Sequence, residues 1–360
     1  KNKNIPGEIV QHKWKDFSYN RNKALECAFN KTDYAFIFDA DDHIYGDFVL
    51  PEKLVEGAYN LKFGKHGCVY ERTLLINNRI PWEYVGVLHE VIICKEEGHR
   101  ISLLDGDYYI ESGRLGSRNN DPNKYKKDAK ILQNAFYEAD KNNEDIRIRY
   151  SFYCAQSYKD CGEDEKAIEW YKRRAEYGGW EQEVYFSYYM VGDAYNRLGE
   201  KEKAIYYWVK AHAQDPQRIE SMYHVIHHYY EQQDWKLAYK YFKMSEPYLN
   251  DDVQLHCKLF VWKEAFTYHY DFDVIIITYH NQAWQEGIDA FQRLWRLQEK
   301  VDDGIVGNII FNFQFFLPHL TCDISEKGKV FISNEFFSDF INFINRHAIT
   351  NNYKLQEGDH

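Results

Sequence analysis

The sequence predicts a layered α/β domain followed by an all-α region of helical repeats. Two observations lead to this division. Up to about residue 118, apolar runs of strand length alternate with a stretch of helical spacing. Beyond about residue 120 the strand patterns give way to long helical periodicity, which repeats itself from roughly residue 145.

The first third of the chain supplies the elements of the α/β domain. The segment "GEIVQHKW" is a short strand candidate, and "SYNRNKALECAFN" has helical spacing with Ser18 as a suitable N-cap. The apolar run "YAFIFDA" has the length and composition of a strand buried on both faces of a mostly parallel sheet. Two further strands are predicted at "GCVYERTLLINN" and "YVGVLHEVIICK".

Carboxylates crowd the end of the apolar run, where Asp39 and Asp41 stand one residue apart with Asp42 beside them. In open α/β sheets, ligands collect at the carboxyl ends of the strands. Acids this close repel one another, and their hard oxygen atoms suit Mg²⁺ or Mn²⁺. These residues therefore favour a divalent metal site.

Three alternatives remain for the same acids. One Asp caps the following turn while the others are solvated. A calcium loop of the EF-hand type fits poorly, because Ile44 stands where that loop needs glycine. A phosphatase with a strand-end aspartate nucleophile would have Thr or Val at the position of His43. The choice between a metal site and a turn cap stays open at this point.

Composition limits the classes of partner for this chain of 360 residues. Hydrophobic residues make up 44% and charged residues 28%, which is an ordinary globular balance. The net charge of −11 argues against nucleic acid as a principal partner, because phosphate binding needs a basic surface. No window approaches the roughly 20 apolar residues that span a bilayer, and no signal peptide opens the chain. We therefore expect no transmembrane segment and a cytoplasmic location, in the host cytoplasm if the gene is viral.

The cysteines predict neither a disulfide framework nor a zinc site. There are seven, an odd number, and none forms a C-x-x-C pair. Reduced thiols are the expectation.

A repeat defines the helical region. The stretch "YCAQSYKDCGEDEKAIEWYKRRAE" aligns with "MVGDAYNRLGEKEKAIYYWVKAHAQDP" and more loosely with "HVIHHYYEQQDWKLAYKYFKMSEPY". Gly162 and Gly199 are 37 residues apart, and Ala167, Ala204 and Ala238 recur at spacings of 37 and 34. This pattern resembles the tetratricopeptide repeat, which stacks helical hairpins of about 34 residues. The resemblance implies a concave face that binds peptides or protein surfaces, with several tyrosines to line it.

The last part of the chain has a weaker pattern. The stretch around "DVIIITY" is either part of two further helices or an apolar strand that interrupts a helix, and "NEFFSDFINFINRHAI" reads as an amphipathic helix. Within the repeats, His224, His227 and His228 have the spacing of metal ligands on one helix face, but no acidic or cysteine partner is in view.

The stretch "WKDFSYNRNKALECAFNKTDYAFIFDADD" resembles family 2 glycosyltransferases of the GT-A fold, in the branch whose catalytic domain precedes tetratricopeptide repeats. That branch has an "F-S-x-x-R-N" segment before its "D-x-D" strand, then an aromatic residue, Gly, two residues and "HE". The stretch "PWEYVGVLHEVI" matches the latter, and "ESGRLGSRNNDPNKYKKDA" looks like the loop that folds over the donor nucleotide. The matching residues are Phe17, Ser18, Arg21, Asn22, Trp82, Tyr84, Gly86, His89 and Glu90. The resemblance covers roughly residues 8 to 250.

The resemblance implies a role for each matching side chain. Asp39 and Asp41 would hold Mn²⁺ or Mg²⁺, which bridges the phosphates of a nucleotide-sugar, and His89 would be a further metal or phosphate ligand. Glu90 is the candidate general base that takes the proton of the acceptor hydroxyl. The donor-binding residues would be Arg21 and Asn22, which contact the nucleotide or steady the metal loop, and Arg114 and Arg118, which clamp the diphosphate.

The fold class that follows is a partial α/β GT-A-like domain and an all-α tetratricopeptide-like domain. The boundaries are residues 1–118 for the partial GT-A domain, 119–144 for a connecting helix, 145–250 for the repeats and 251–360 for a C-terminal helical region. The family's domain normally begins with a strand–helix–strand unit that binds the base and ribose, and "GEIVQHKW" corresponds only to its last strand. We therefore expect weak or absent activity from this chain alone.

Two functions follow from these observations. The first is a metal-dependent inverting glycosyltransferase that moves a sugar from a nucleotide-diphosphate donor to a protein or glycan acceptor recruited by the repeats. The alternative is a non-catalytic repeat scaffold that binds proteins and carries a degenerate glycosyltransferase remnant. Replacement of Asp39 by alanine separates them, because only the enzyme needs that carboxylate.

Overall fold

The chain divides into two compact units, Lys1–Gly179 and Trp180–His360. The computed structural model describes residues 9–65, 68–113, 120–249, 258–296, 303–323 and 328–351. Among these residues, no helix combines the length and the apolar character needed to cross a membrane.

The first unit begins with helix α1 (Phe17–Ala28). Asp16 is its N-cap, because the Asp16 carboxylate accepts a hydrogen bond from the backbone N–H of Tyr19 at 2.7 Å. The prediction of Ser18 as the N-cap is therefore wrong by two positions. Ser18 lies in the first turn and instead donates its hydroxyl hydrogen to the carbonyl of Gly86.

A mostly antiparallel sheet follows α1. Its strands and those of a separate hairpin are β1 (Tyr34–Phe36), β2 (Asp42–Gly46), β3 (Ala58–Lys65), β4 (Cys68–Asn77), β5 (Trp82–Val85), β6 (Val91–Cys94), β7 (Ile101–Leu103) and β8 (Tyr108–Ser112). Strand β4 pairs antiparallel with β1 and with β3, and β2 pairs antiparallel with β8, whereas β3 runs parallel to β7 and β8. The strand order is β1-β4-β3-β8-β2, and β5 and β6 form the separate hairpin.

Three details of the predicted sheet are wrong. The run "YAFIFDA" forms only the short end strand β1, antiparallel to β4, and Phe36 and Phe38 are 39% and 41% exposed. These rings pack on each other, 5.3 Å between centroids, and not between two helical layers. Residues 9–14 form neither strand nor helix, and Ile9 and Val10 are exposed without an apolar layer to stabilise a strand. The stretch "YVGVLHEVIICK" is the β5–β6 hairpin and not one strand, because Gly86 and His89 take positive φ angles in its loop.

The core of the first unit lies against both faces of β3 and β4. One face buries Leu61, Phe63 and Leu74 with Ile110 of β8. The other face packs Ile76 and neighbouring residues against α1 and the β5–β6 hairpin. The hairpin is thereby fixed beside α1, which positions the candidate site described below.

Helices dominate the rest of the described chain. The first unit continues with α2 (Lys124–Glu138), α3 (Glu144–Asp160) and α4 (Asp164–Glu176). The second unit contains α5 (Glu181–Arg197), α6 (Lys201–Gln214), α7 (Glu220–Glu231), α8 (Trp235–Ser245), α9 (Tyr270–His280), α10 (Trp284–Arg296), α11 (Asp303–Phe313) and α12 (Asn334–Asn351), with a short parallel pair of strands β9 (Leu320–Thr321) and β10 (Val330–Phe331).

Consecutive helices form hairpins with one recurring turn. In the pairs α3/α4, α5/α6, α7/α8 and α9/α10, a residue with positive φ ends the first helix, and the next N–H reaches back five residues to a helix carbonyl. A small residue stands five positions after each turn residue, where the two helices approach closely. The turn residues are Gly162, Gly199, Gln233 and Gln282, and the small residues are Ala167, Ala204, Ala238 and Gly287.

These hairpins support the predicted helical-repeat domain and extend it. The hairpin of α9 and α10 is a fourth copy that the alignment of the repeats with one another does not include. Its sequence "NQAWQEGIDAF" nevertheless carries the turn residue Gln282 and the small residue Gly287 at the shared spacing of five. A Cβ on Gly287 would lie 2.3 Å from the ring of Phe316, which explains why this copy has glycine. The stretch "DVIIITY" lies inside α9, so it is helical and not a strand.

Candidate functional site

The β5–β6 loop of the first unit, residues 86–90, is held by α3. The hydroxyl of Tyr150 accepts a hydrogen bond from the N–H of Val87 at 3.1 Å. The guanidinium of Arg149 donates to the carbonyl of His89 at 2.6 Å. Because α1 also binds this loop through Ser18, a repeat helix and the helix before the acidic motif fix the loop together.

His89 adopts a strained backbone conformation in this loop. Its φ is +51°, a region that side chains with a Cβ seldom occupy. The imidazole ring stacks flat on Tyr153 of α3, with centroids 3.9 Å apart and planes 5° from parallel. The stacking on α3 fixes the ring orientation, and the predicted role of His89 in binding a metal or phosphate stays a prediction.

Arg21 joins the predicted motifs in space. Its Nη2 lies 2.9 Å from Asp39 Oδ2, and its Nε lies 2.7 Å from Glu90 Oε1. The guanidinium also lies over the ring of Tyr84, 5.4 Å from the centroid. The structure therefore brings together side chains that the sequence separates by 18 and 69 positions.

The electrostatics of this cluster keep Arg21 charged. Burial acts to lower the pKa of Arg21, but the hydrogen bond and charge of Asp39, with further contributions from Tyr84 and Glu90, more than offset this, so the pKa is raised. The side chain of Glu90 is 12% exposed and that of Asp39 is 43% exposed. One side of the cluster is thus open to solvent and to a charged ligand.

Asn22 acts on the backbone of β5. Its Nδ2 donates to the carbonyl of Tyr84 at 2.9 Å, and its Oδ1 accepts from the N–H of Tyr84 at 2.7 Å. The amide therefore fastens α1 to the hairpin in the way a neighbouring strand would. The predicted donor contact of Asn22 stays a prediction beside this positioning role.

Residues 39–42 form a closed turn. The N–H of Asp42 donates to the carbonyl of Asp39 at 3.0 Å, and Oδ2 of Asp42 accepts from the N–H of Asp39 at 3.2 Å. The backbone carbonyl of Asp41 accepts from Gly113 at 2.7 Å, which ties the turn to the end of β8. The Asp42 carboxylate thus caps this turn, which is the role that the alternative to a metal site gives to one of the aspartates.

Asp42 is a buried carboxyl group. Its Oδ1 is buried and has no hydrogen-bond partner among the described residues. Burial raises the pKa of Asp42, although its backbone hydrogen bond from Asp39 acts in the opposite direction. The turn therefore carries a carboxylate whose charged form is disfavoured.

The described side chains do not fit a divalent ion as they stand. Arg21 occupies one oxygen of Asp39, and across the described residues no three His, Cys, Asp or Glu side chains are placed to hold a metal. Magnesium demands near-ideal octahedral oxygen ligation, which this arrangement does not offer. Arg114 and Arg118 lie outside the described residues.

A second candidate site lies in the second unit, on what we call the α5–α7 face. Residues of α5 recur on one side of that helix at spacings of three or four, and residues at the start of α7 lie beside them. The face consists of Gln182, Tyr185, Phe186, Tyr189, Asp215, Arg218, Glu220, Tyr223 and His224.

The centre of this face is a fully buried ion pair. The side chains of Arg218 and Glu220 are both 0% exposed, with Nη2 and Oε1 2.7 Å apart. The ring of Tyr185 lies over the guanidinium, 4.1 Å from its Cζ. Burial lowers the pKa of Arg218, but Glu220 and further partners more than offset this effect, so the pKa is raised.

Residues 258–262 lie on the α5–α7 face. Lys258 Nζ contacts Asp215 Oδ2 at 2.7 Å. The N–H of Leu259 donates to Gln182 Oε1 at 3.3 Å, and the carbonyl of Leu259 accepts from Arg218 at 2.8 Å. The segment is thus bound through its backbone as well as through its side chains.

Aromatic contacts continue along the same segment. Phe260 packs edge-on against Phe186, 5.1 Å between centroids. Trp262 stacks on His224 at 5.5 Å and contacts Tyr223 at 5.3 Å. Successive residues of the segment therefore contact Gln182 and Phe186 of α5 and then Tyr223 and His224 of α7.

His224 is a neutral member of this face. Trp208 and Trp262 both stack on its ring, and the hydroxyl of Tyr189 lies 2.9 Å from its Nε2. Desolvation lowers the pKa of His224 to about 4. The imidazole therefore serves as a flat packing surface at neutral pH.

The three histidines of α7 do not form a metal site within the described residues. His227 Nδ1 instead contacts Asp273 Oδ2 of α9 at 2.6 Å, while His228 lies beside Gln232. A second acid, Glu231, lies one turn later on α7 with its Oε1 3.7 Å from His227 Nε2, so His227 has one acidic partner nearby in the sequence and a closer one on a helix 46 residues away. The sequence signal for this pair is Asp273, an acidic residue at the start of the otherwise apolar run "DVIIITY".

Comparison with known proteins adds little to these observations. No family model matches the sequence, and no curated protein matches it. Among solved structures, MamA is 17% identical over 52% of this chain and 95% of its own, with a TM-score of 0.36. A tetratricopeptide repeat protein from Parabacteroides merdae is 13% identical over 54% of this chain and 68% of its own, with a TM-score of 0.37. BtubC from P. vanneervenii is 10% identical over 67% of this chain and 95% of its own, with a TM-score of 0.38. TM-scores this low do not establish a shared fold, so the repeat assignment rests on the hairpins themselves.

Proposed function

We propose that the chain is a repeat scaffold whose α5–α7 face binds an extended segment of a protein partner. The observation that carries this proposal is that the face holds residues 258–262 through both backbone and side-chain contacts. Stacked helical repeats commonly form extended surfaces that bind other proteins, which supports this reading.

The face is organised before any partner arrives. Glu220 and Tyr185 orient the guanidinium of Arg218, and Gln182 Nε2 donates to Asp215 Oδ2 at 2.7 Å. Rigid donors and acceptors lose little entropy on binding, which favours recognition of a backbone.

A peptide library displayed on phage tests this proposal. It is selected on the full chain and on the variant Phe260→Ala/Trp262→Ala, which weakens the segment already on the face. We expect binders whose affinity falls at least about tenfold when Phe186→Ala is added, because Phe186 is an aromatic contact for the segment that already lies on the face.

The control is Phe311→Ala, which removes an exposed aromatic ring from α11. Circular dichroism of each variant verifies the helical content. A selection that yields no binder sensitive to Phe186→Ala overturns the scaffold proposal.

A second candidate function is the metal-dependent inverting glycosyltransferase. The observation that favours it is the contact of Arg21 with both Asp39 and Glu90, which gathers residues of three motifs of that family. In this proposal a nucleotide-sugar is the donor, a protein or glycan is the acceptor, and Mn²⁺ or Mg²⁺ is the cofactor. Asp39 would have to exchange Arg21 for the ion.

Calorimetry with uridine and guanosine diphosphates and Mn²⁺ separates the two functions. The transferase predicts Mn²⁺-dependent binding that Asp39→Ala abolishes and that the exposed control Glu97→Ala leaves unchanged. The Arg21→Gln variant should bind Mn²⁺ more tightly, because it removes the cation that competes for Asp39. Equal heats for wild type and Asp39→Ala exclude the transferase for this chain.

A further inference from the structure

We propose that residues 258–262 mask the α5–α7 face in cis, and that the face recognises a partner peptide with a lysine, a phenylalanine two residues later and a tryptophan two residues after that. This inference rests on the proposed scaffold function and specifies its ligand. The sequence "KLFVW" at residues 258–262 is the template for that ligand.

The lysine position is set by a buried carboxylate. Lys258 Nζ lies 2.7 Å from Asp215 Oδ2, and their side chains are largely buried. Gln182 Nε2 donates to the same oxygen at 2.7 Å and so fixes the carboxylate. A charge-assisted hydrogen bond in such surroundings selects a cation at the first position of the ligand.

The backbone of the ligand is read by Arg218. Its Nη1 donates to the carbonyl of Leu259 at 2.8 Å, and its Nη2 donates to the carbonyl of Phe260 at 3.5 Å. Gln182 accepts from the N–H of Leu259. Contacts to consecutive peptide groups require an irregular or extended chain, because a helix uses these groups internally.

Two aromatic positions complete the recognition. Phe260 rests on Phe186 but remains 54% exposed, so it is a peripheral contact. Trp262 lies against both His224 and Tyr223 and is the larger anchor. Aromatic anchors on a preformed surface commonly dominate binding energy.

The segment is an imperfect occupant of the face. Phe260 has a φ of +50°, a conformation strained for a residue with a Cβ. A free peptide that relaxes this strain has an advantage over the cis segment. The cis segment has the advantage of its covalent link to α9, which gives it an effective concentration on the order of millimolar.

The strain in the cis segment and its high effective concentration act in opposite directions, so we expect residues 258–262 and a free peptide to compete for the α5–α7 face. In the wild type, a free peptide must displace residues 258–262, so its apparent affinity is reduced by the occupancy of the face. In a variant with a weakened cis segment, the same peptide binds an open face.

Fluorescence anisotropy with a labelled peptide of the sequence Lys-Leu-Phe-Val-Trp-Lys-Glu tests the inference on the full chain. We expect the Phe260→Ala/Trp262→Ala variant to bind this peptide at least about tenfold more tightly than the wild type. Phe311→Ala should bind it as the wild type does. The single variant Phe260→Ala, whose side chain is more than half exposed, gives a smaller increase in the same direction and keeps the test valid if the double variant fails to fold.

Specificity for lysine is tested in the same variant background. Adding Asp215→Asn should weaken binding of the lysine peptide about tenfold while leaving a peptide with Gln in place of Lys unchanged. Equal affinity of the wild type and the Phe260→Ala/Trp262→Ala variant for the lysine peptide overturns the inference. So does an unchanged affinity after Asp215→Asn.

Two further outcomes also overturn the inference about residues 258–262 and their peptide ligand. A variant that doubles its mass in light scattering and ignores the peptide would assign the face to a second copy of the chain. Library binders that depend on Phe186 but lack the lysine and aromatic pattern would remove this ligand and leave the scaffold function standing.

Discussion

Each unit has an arginine that contacts acidic side chains, and the two arginines differ in burial. Arg21 contacts Asp39 and Glu90, and the Asp39 side chain is 43% exposed. Arg218 and its partner Glu220 have no solvent exposure. The chemistry of the pairs is the same, so their surroundings decide what each pair can do.

The difference leaves the Arg21 cluster open to solvent and makes the Arg218 cluster part of the packed interior. Around Arg21, water and ions reach Asp39, so a charged ligand can compete for either partner. Around Arg218, the donors are directed at Glu220, Gln182 and two backbone carbonyls, and none is left for bulk solvent. A buried arginine with all its donors in use fixes geometry and reads a backbone.

The largest expected effect is at Arg218. Its replacement by methionine leaves the Glu220 carboxylate buried without a cation, which should lower the free energy of unfolding by about 3–5 kcal/mol. Urea unfolding followed by circular dichroism measures the loss. The double variant Arg218→Met/Glu220→Leu is the control and should recover much of it, because neither charge remains. A loss below about 1 kcal/mol for the single variant would contradict the buried-pair account.

Arg21 should give a smaller loss. Arg21→Ala removes the cation shared by Asp39 and the largely buried Glu90, and we expect a cost of about 1–3 kcal/mol in the same assay. The matched control is Arg79→Ala, because Arg79 forms an exposed pair with Asp33 at 3.0 Å. That variant should cost no more than about 0.5 kcal/mol. Equal costs would show that the surroundings of Arg21 are no different from open surface.

Asp42 should respond with the opposite sign. Its folded pKa is raised, so the folded state binds a proton more tightly than the unfolded chain, and stability falls as the pH rises through the raised value. Asp42→Asn keeps an oxygen to accept from Asp39 and should stabilise the protein by roughly 0.5–1 kcal/mol at neutral pH. Thermal unfolding of both proteins is compared at pH 4, near the ordinary aspartate pKa, and at pH 7. The stabilisation by Asp42→Asn should be larger at pH 7 than at pH 4.

The Asp42 result also bears on the metal hypothesis. Asp47→Asn, at an exposed aspartate after β2, is the control and should leave the melting temperature unchanged. A destabilised Asp42→Asn variant would indicate that a cation pairs with this carboxylate in solution.

The smallest expected effect is the pH response of His227. The hydrogen bond to Asp273 raises the pKa of His227, so the ion pair contributes fully below the ordinary histidine pKa of about 6.5. That contribution is lost as the pH rises through the raised value. His227→Gln should therefore flatten the dependence of the melting temperature on pH above about 6.5. His280→Gln on α9 is the control, and an identical pH profile for wild type and His227→Gln would refute the pairing.

Much of the repeat domain was predictable because its signals are local. The positive-φ residue that ends a helix, the backward hydrogen bond and the small residue five positions later all lie within a few residues of one another. The α9/α10 hairpin was missed because Gln282 and Gly287 replace the Gly and Ala of the first copies, although the spacing is kept.

The sheet was predicted less well because strand pairing is not local. The run "YAFIFDA" has the composition of a buried strand, but its pairing depends on β4, about 40 residues later. With β1 at the end of the strand order, Phe36 and Phe38 face outward in part. The family resemblance gives Arg21, Asp39 and Glu90 separate roles that stay predictions, whereas the pairing of Arg21 with both acids is found only in the structure.

The sequence by itself determined the elements whose hydrogen bonds close within one or two helical turns, namely the repeat helices and the turns between them. The tertiary structure alone decided which charges are buried, because burial depends on side chains that arrive from distant segments. Lys258 reaches Asp215 across 43 positions and Asp273 reaches His227 across 46. A charge in the sequence acquires its pKa and its role only when such partners surround it.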